Sequence, residues 1–218
     1  MRITRFLNQQ RFPRLWLLFQ VLMGGTIDKR KLCLAAYRGE KSLLEVGCSS
    51  GNIATTFLKI KDLNYTGLDI DPVAIRFAQK RFIHKPGYTF ICEDLLHLSE
   101  STAKRYDLIL FPGVFHHVSD DQCRNMLAAG RKLLSPNGRI AVIDVLAALP
   151  SDKWYVKFNT HSLEDGQFVR EESSMKDLMN SVEGMRITET SVKYIGSTFL
   201  SLPKVARFGT YELTQATS

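Results

Sequence analysis

Short β-branched apolar runs alternate with longer amphipathic stretches along most of this chain, and that alternation predicts a parallel sheet with helices on both faces. The strand-like runs are Ser42 to Val46, Asn64 to Leu68, Tyr88 to Cys92, Tyr106 to Phe111 and Gly138 to Val145. Between them apolar positions recur at helical spacing over Ile53 to Lys59, Asp71 to Phe82 and Asp120 to Leu134. Pro72 suits a first helical turn and Asp71 its N-cap. Ser135-Pro136-Asn137-Gly138 is a turn that launches the fifth strand.

Both ends depart from this rhythm. After Val145 comes an irregular stretch containing Trp154, Tyr155, Phe158 and His161, then a helical pattern from Glu171 to Val182. Two strand-like runs follow, Met185 to Ile195 and Ala206 to Leu213, with no helix-length pattern between them, so they should pair antiparallel. Near the start, Arg11, Phe12, Leu15, Trp16, Phe19 and Met23 recur at helical spacing, and Gly24-Gly25 ends the run. The segment predicts an amphipathic helix packed on the domain. Its basic start and apolar run Leu15 to Met23 have the outline of a signal peptide, but no small-x-small site follows. The run is also about half the ~20 residues that a membrane helix requires, so no stable membrane insertion is expected.

Composition narrows the class. At 218 residues the chain fits one well-buried domain, and two would be cramped. Apolar content of 44% with 23% charged residues is ordinary globular composition. Cys33, Cys48, Cys92 and Cys123 form no CxxC pair and have no His at ligand spacing. That argues against a disulfide framework and any metal site, and for a reducing, cytoplasmic compartment. The net charge of +7 is spread out with no long basic block, so a nucleic acid is not the expected partner.

The chemistry gathers after the first strand, in Leu43-Leu44-Glu45-Val46-Gly47-Cys48-Ser49-Ser50-Gly51-Asn52. Gly47 and Gly51 let backbone approach a ligand where a side chain would collide, and a helix opening near Ile53 would aim its N–H groups there. Asp69 ends the second strand about 20 residues beyond the loop, where a carboxylate can accept both hydroxyls of a ribose. Asp94, just past the third strand, could accept from an adenine amino group.

At these residues the chain resembles the class I S-adenosylmethionine-dependent methyltransferases over nearly its whole length. Glu45-x-Gly47-x-Ser49-x-Gly51 is similar to their first motif, with Ser49 where the family has its middle glycine; a serine fits there if its φ stays negative. Gly67-Leu68-Asp69 is similar to the ribose-binding motif, Glu93-Asp94 to the adenine-side motif, and Tyr106 to Val118 to the fourth-strand motif. Leu133-Leu134-Ser135-Pro136-Asn137-Gly138 is similar to the turn before strand five. The resemblance implies a Rossmann-like, seven-stranded, mostly parallel α/β sheet ending in an antiparallel hairpin, with helices on both faces. It implies S-adenosyl-L-methionine as cofactor, held by Glu45, Gly47, Cys48, Ser49, Gly51, Asp69, Ile70, Asp94, Leu95, Phe111, Pro112 and Gly113. A single domain spanning 1–218 would comprise a helical cap (1–40), a cofactor-binding core (41–145), and an acceptor-side insertion with the terminal hairpin (146–218).

His116 and His117 are the general-base candidates, with His117 favoured, since histidine titrates near neutrality. Tyr37, Asp144, Tyr155 and Arg170 are the candidate acceptor contacts. Arg170, Lys153 and Lys157 point to an anionic small metabolite methylated on O, N or C. The rival readings are a tRNA or protein methyltransferase, a non-catalytic cofactor-binding partner subunit and an NAD-dependent oxidoreductase. Phe111-Pro112-Gly113-Val114 is not the Asn/Asp-Pro-Pro-aromatic motif of amino-group methylation. The spacing Gly47-x-Ser49-x-Gly51 and Asp94 weigh against the oxidoreductase. Oligomeric state is left open, a homodimer being one option.

Overall fold

A computed structural model describes residues 26–160, 166–196 and 203–216. The amphipathic helix expected from Arg11 to Met23, and His161, lie outside them. The described elements are α1 (Thr26–Ala36), β1 (Ser42–Val46), β2 (Asn64–Asp69), α2 (Pro72–Arg81), β3 (Tyr88–Cys92), α3 (Leu95–Ser101) and β4 (Tyr106–Pro112). They continue with α4 (Asp120–Leu133), β5 (Leu134–Leu146), α5 (Trp154–Phe158), α6 (Glu172–Asn180), β6 (Met185–Ile195) and β7 (Ala206–Gln215).

The strands form one seven-stranded sheet in the order β3-β2-β1-β4-β5-β7-β6. β1 to β5 pair parallel, whereas β7 runs antiparallel to both β5 and β6. Period-two alternation sends neighbouring side chains to opposite faces. Leu44, Ile109 and Val142 therefore join one apolar layer with Leu127 and Leu133 of α4 and Met175 and Met179 of α6. Leu43, Leu108 and Ile143 join the other, with Leu32 and Cys33 of α1 and Ile75 and Ala78 of α2. The seven-stranded, Rossmann-like α/β fold with its final hairpin is as the pattern implied.

Two local expectations are corrected. Ile53 to Lys59 forms no α-helix but a single 3-10 turn, Ala54–Phe57, whose Phe57 is fully buried under α1 and β2. No α-helix N-terminus therefore opens at the glycine loop. Conversely, α3 forms where no helix was expected, because Asp94 caps it by accepting from the Leu96 N–H at 2.7 Å. At seven residues it is too short to show a period.

α1 is fixed at its C-terminal end. Buried Arg139, at the start of the parallel part of β5, donates to the Ala36 carbonyl and pairs with Glu40 and, at 2.9 Å, with Glu212. The other end of α1 consequently reaches the C-terminal ends of β4 and β5, where it matters below.

Candidate active site

The loop after β1 is held from several directions. Gly47 and Cys48 both donate their N–H groups to the Leu68 carbonyl, at 2.8 and 3.0 Å. Arg81 of α2 donates to the carbonyls of Ser50 and Gly51, each at 3.2 Å, and Arg30 of α1 to that of Asn52 at 3.0 Å. Gly47 and Gly51 sit at φ +72 and +75, and a Cβ on Gly47 would lie 2.7 Å from Val114 Cγ2. Cys48 is a packing residue, buried and next to Gly67; burial, then Glu45 and Asp69, push its thiol well above the ordinary range.

Ser49 corrects the expectation of negative φ: it stands at φ +49, in the left-handed region. Asp69 holds it there, accepting from the Ser49 N–H at 2.7 Å through one oxygen and from the Asp71 N–H at 2.9 Å through the other. A left-handed conformation costs an L-residue roughly 1–2 kcal/mol, partly offset when glycine's looser unfolded chain is counted. Ser49→Gly is thus expected to raise stability by up to about 1 kcal/mol in thermal denaturation. A lowered midpoint would mean that the serine side chain holds the loop.

The residues past β2 and β3 have the exposure and chemistry that a nucleoside would need. Asp69 is half-buried, Gly47 is exposed, and Ile70, next to Asp69, is 73% exposed despite being apolar. Such a side chain gains by being covered with a flat base. Asp94 is exposed and serves as the α3 cap; Leu95 is buried beneath it while Leu96 is exposed. On the amino-acid side lies Glu45, which is fully buried and accepts from the Tyr65 hydroxyl. Burial, reinforced by Asp69, pushes its carboxyl well above the usual range, with Lys29 opposing. A buried carboxylate of this kind is matched by a cation such as an ammonium group. These residues fit S-adenosylmethionine.

Beyond them, after β4, lies a buried pair, His116 and Asp144. Asp144 of β5 is completely buried. One oxygen accepts from the Phe115 N–H at 2.6 Å; the other meets His116 Nδ1 at 2.5 Å and the Val145 N–H at 2.7 Å. Burial alone would raise this carboxyl, but the His116 charge and hydrogen bond, with Lys29, hold it below the ordinary value. The carboxylate accepts only, so Nδ1 carries the hydrogen, and whenever the ring is neutral Nε2 holds the basic lone pair. Phe168 N–H donates to the His116 carbonyl at 3.0 Å, and a Cβ on Gly166 would come within 2.5 Å of the His116 ring. The imidazole is thus gripped on two sides. His117, the favoured histidine, is exposed, its ring centroid 3.9 Å from that of His116.

The other expected acceptor contacts do not gather here. Asp144 is spent on His116 and backbone. Arg170 is buried, donating to Asp120, to the carbonyls of Phe115 and Phe168 and to that of Val118 at 2.8 Å. Its guanidinium pins the loop after β4 and leaves no fork for an anion. Lys157 donates to the Pro150 carbonyl at 2.6 Å. Tyr37 follows the C-terminal end of α1 and donates to the Glu40 carbonyl, beside the starts of the strands and so at the wrong end of the sheet. Tyr155 of α5 packs edge-on against Trp154, which is 76% exposed. The Phe111 side chain is in the core beside Phe115 and Pro112 is buried, whereas Gly113, at φ +76, is half-exposed. Lys29 went unnoticed: nothing in its own segment marks it, since its position depends on how α1 crosses the sheet.

A family model described as a methyltransferase domain matches residues 44–140. Malonyl-[acyl-carrier protein] O-methyltransferase 1 of Ilyobacter polytropus is 32% identical over 117 residues, covering 52% of this chain and 41% of that protein. Phthiotriol/phenolphthiotriol dimycocerosates methyltransferase of Mycobacterium leprae is 27% identical over 129 residues, covering 57% of this chain and 45% of that one. The chain thus spans about half the length of the curated relatives it matches. Among solved structures, the mitomycin 7-O-methyltransferase superposes with a TM-score of 0.66 at 20% identity, covering 88% of this chain and 54% of that one. Human N-acetylserotonin methyltransferase in complex with S-adenosylmethionine superposes at 0.64 and 17%, covering 87% and 52%. Among the described residues no helix is long and apolar enough to cross a membrane, and no His, Cys, Asp and Glu cluster could hold a metal. Motif order, strand order and the matching domain agree: residues 44–140 match a methyltransferase domain, set in the fold of S-adenosylmethionine-dependent methyltransferases.

Proposed function

We propose that this chain transfers the methyl group of S-adenosylmethionine to a small metabolite, with His116 as the general base and Asp144 as its positioning residue. The bound sulfonium supplies an electrophilic methyl group. The protein's own tasks are then to align a nucleophile, exclude water and take up a proton. Glu45, the glycine loop and Asp69 serve the first by fixing the donor, and residues 41–145 contain all of them. The stretch after β5 closes over His116 through Gly166 and Phe168 and gives the acceptor its wall. The observation that carries this reading is the buried Asp144–His116 pair, aimed from the strand ends that also bear Gly113. It favours an enzyme over a cofactor-binding partner subunit, in which a buried carboxylate gripping an imidazole would have no task.

Titration calorimetry tests the cofactor half. S-adenosylhomocysteine is expected to bind and NADH not to; the reverse result would make the chain an oxidoreductase-type binder.

A further inference from the structure

Lys29 stands at the end of α1 that reaches over the sheet, and among the described residues its ammonium makes no direct ion pair. Its Nζ lies 5.3 Å from the Phe208 ring centroid, a contact that steadies the stem. A Cβ built on Gly113 would lie 2.8 Å from this Nζ and 3.5 Å from His116 Cε1. The absence of a side chain at residue 113 thus makes room for the ammonium and the imidazole side by side. Two carboxylates feel its charge, Glu45 and Asp144. Each already has another partner: Glu45 takes the Tyr65 hydroxyl, and Asp144 takes His116 and two backbone N–H groups. Among the described residues, none places a carboxylate within ion-pair distance of Lys29. A half-buried cation of this kind, beside a glycine and a basic imidazole, is arranged for an anionic oxygen brought in by a ligand.

We propose that Lys29 is the anion-recognising residue of this site, holding a carboxylate or an oxyanion beside Gly113. The proposal rests on the preceding reading of the site and deepens it. The shared chemistry is an anionic oxygen, and it has two sources: the α-carboxylate of the cofactor itself, or an acidic O–H acceptor that ionises before methylation. An amine acceptor is disfavoured, because nitrogen gains positive charge as the methyl arrives, next to an existing ammonium. The cation selects for oxygen.

The test uses the full chain and its Lys29→Met and Lys29→Arg variants. Calorimetry measures S-adenosylhomocysteine and 5′-methylthioadenosine, the same nucleoside thioether without the amino-acid charges. The absorbance of 4-nitrophenolate, added to the S-adenosylhomocysteine complex, reports an oxyanion in the acceptor position. If the cofactor carboxylate is the ligand, Lys29→Met weakens S-adenosylhomocysteine by roughly tenfold or more and spares 5′-methylthioadenosine, with Lys29→Arg in between. If the acceptor is, both thioethers bind as before, and the wild-type complex takes up 4-nitrophenolate while Lys29→Met does not. Equal weakening of both thioethers would make Lys29 a structural prop and overturn the proposal. So would wild-type behaviour of Lys29→Met with all three probes. A wild-type chain that binds neither thioether would instead overturn the cofactor reading, a distinguishable failure.

Discussion

Asp144→Asn is expected to lower kcat by about 10²–10⁴-fold while leaving S-adenosylhomocysteine affinity nearly unchanged. The carboxylate does three things that an amide cannot do together. It accepts from the Phe115 N–H, accepts from the Val145 N–H and receives His116 Nδ1. An asparagine in its place must turn an NH₂ group toward one of these donors. Turned toward His116, the amide donates to Nδ1 and shifts the ring hydrogen to Nε2, so the base presents the wrong nitrogen. Turned toward the Phe115 N–H, it leaves a buried donor unpaired, at about 1–3 kcal/mol of stability. Stopped-flow or radiometric turnover, measured beside a thermal midpoint and S-adenosylhomocysteine binding, separates these effects. His116→Gln should reproduce the loss of turnover with a smaller loss of stability. A folded Asp144→Asn protein turning over at the wild-type rate would remove His116 from proton transfer.

Asp69→Ala should have the second-largest effect, and a double one. Losing charge-assisted hydrogen bonds to the ribose, about 1.5–3 kcal/mol each, is expected to weaken S-adenosylhomocysteine by two orders of magnitude or more. A carboxylate that merely ended a strand would leave the fold spared. The structure changes that expectation. Asp69 accepts the N–H groups of Ser49 and Asp71, so its removal frees the left-handed turn at Ser49 and loosens the lead into α2. A loss of about 1–3 kcal/mol in chemical denaturation should accompany the lost affinity. Wild-type affinity in this variant would place the ribose elsewhere.

These cases show which parts of the molecule could be read along the chain. The strands announced themselves, because apolar β-branched residues such as Ile109, Val142 and Ile143 fall in short continuous runs buried on both faces of the sheet. The Asp71 cap was equally plain, since it is settled within a few residues, whereas Ser135 to Gly138, expected to be a turn before the strand, lies inside β5 at an irregularity of its pairing with β4. Ser49 was misjudged because the group that holds its backbone, Asp69, lies on another strand. Arg170 looked like an anion clamp because its partners, Asp120 and the carbonyls of Phe115 and Val118, belong to elements far off in sequence. His116 and His117 are adjacent and chemically alike, and only the approach of β5 distinguishes them. The cofactor half of the site is local chemistry repeated at strand ends. The acceptor half is made by long-range packing, and so it was barely legible.

The buried Arg170 also bears, through its backbone, on how such a chain could change its substrate. The Ala147 N–H donates to the Arg170 carbonyl at 2.8 Å, and Leu146 bridges Arg170 in parallel, so the stretch proposed as the acceptor wall leaves the sheet and returns to the same point. Its ends are closed by backbone bonds and by the buried Arg170. Doubling the length of a flexible loop with joined ends costs only about 0.6 kcal/mol of closure entropy. The wall therefore behaves as an exchangeable cassette. Its contents can be rewritten between fixed posts, provided that Gly166 and Phe168, which grip His116, are kept.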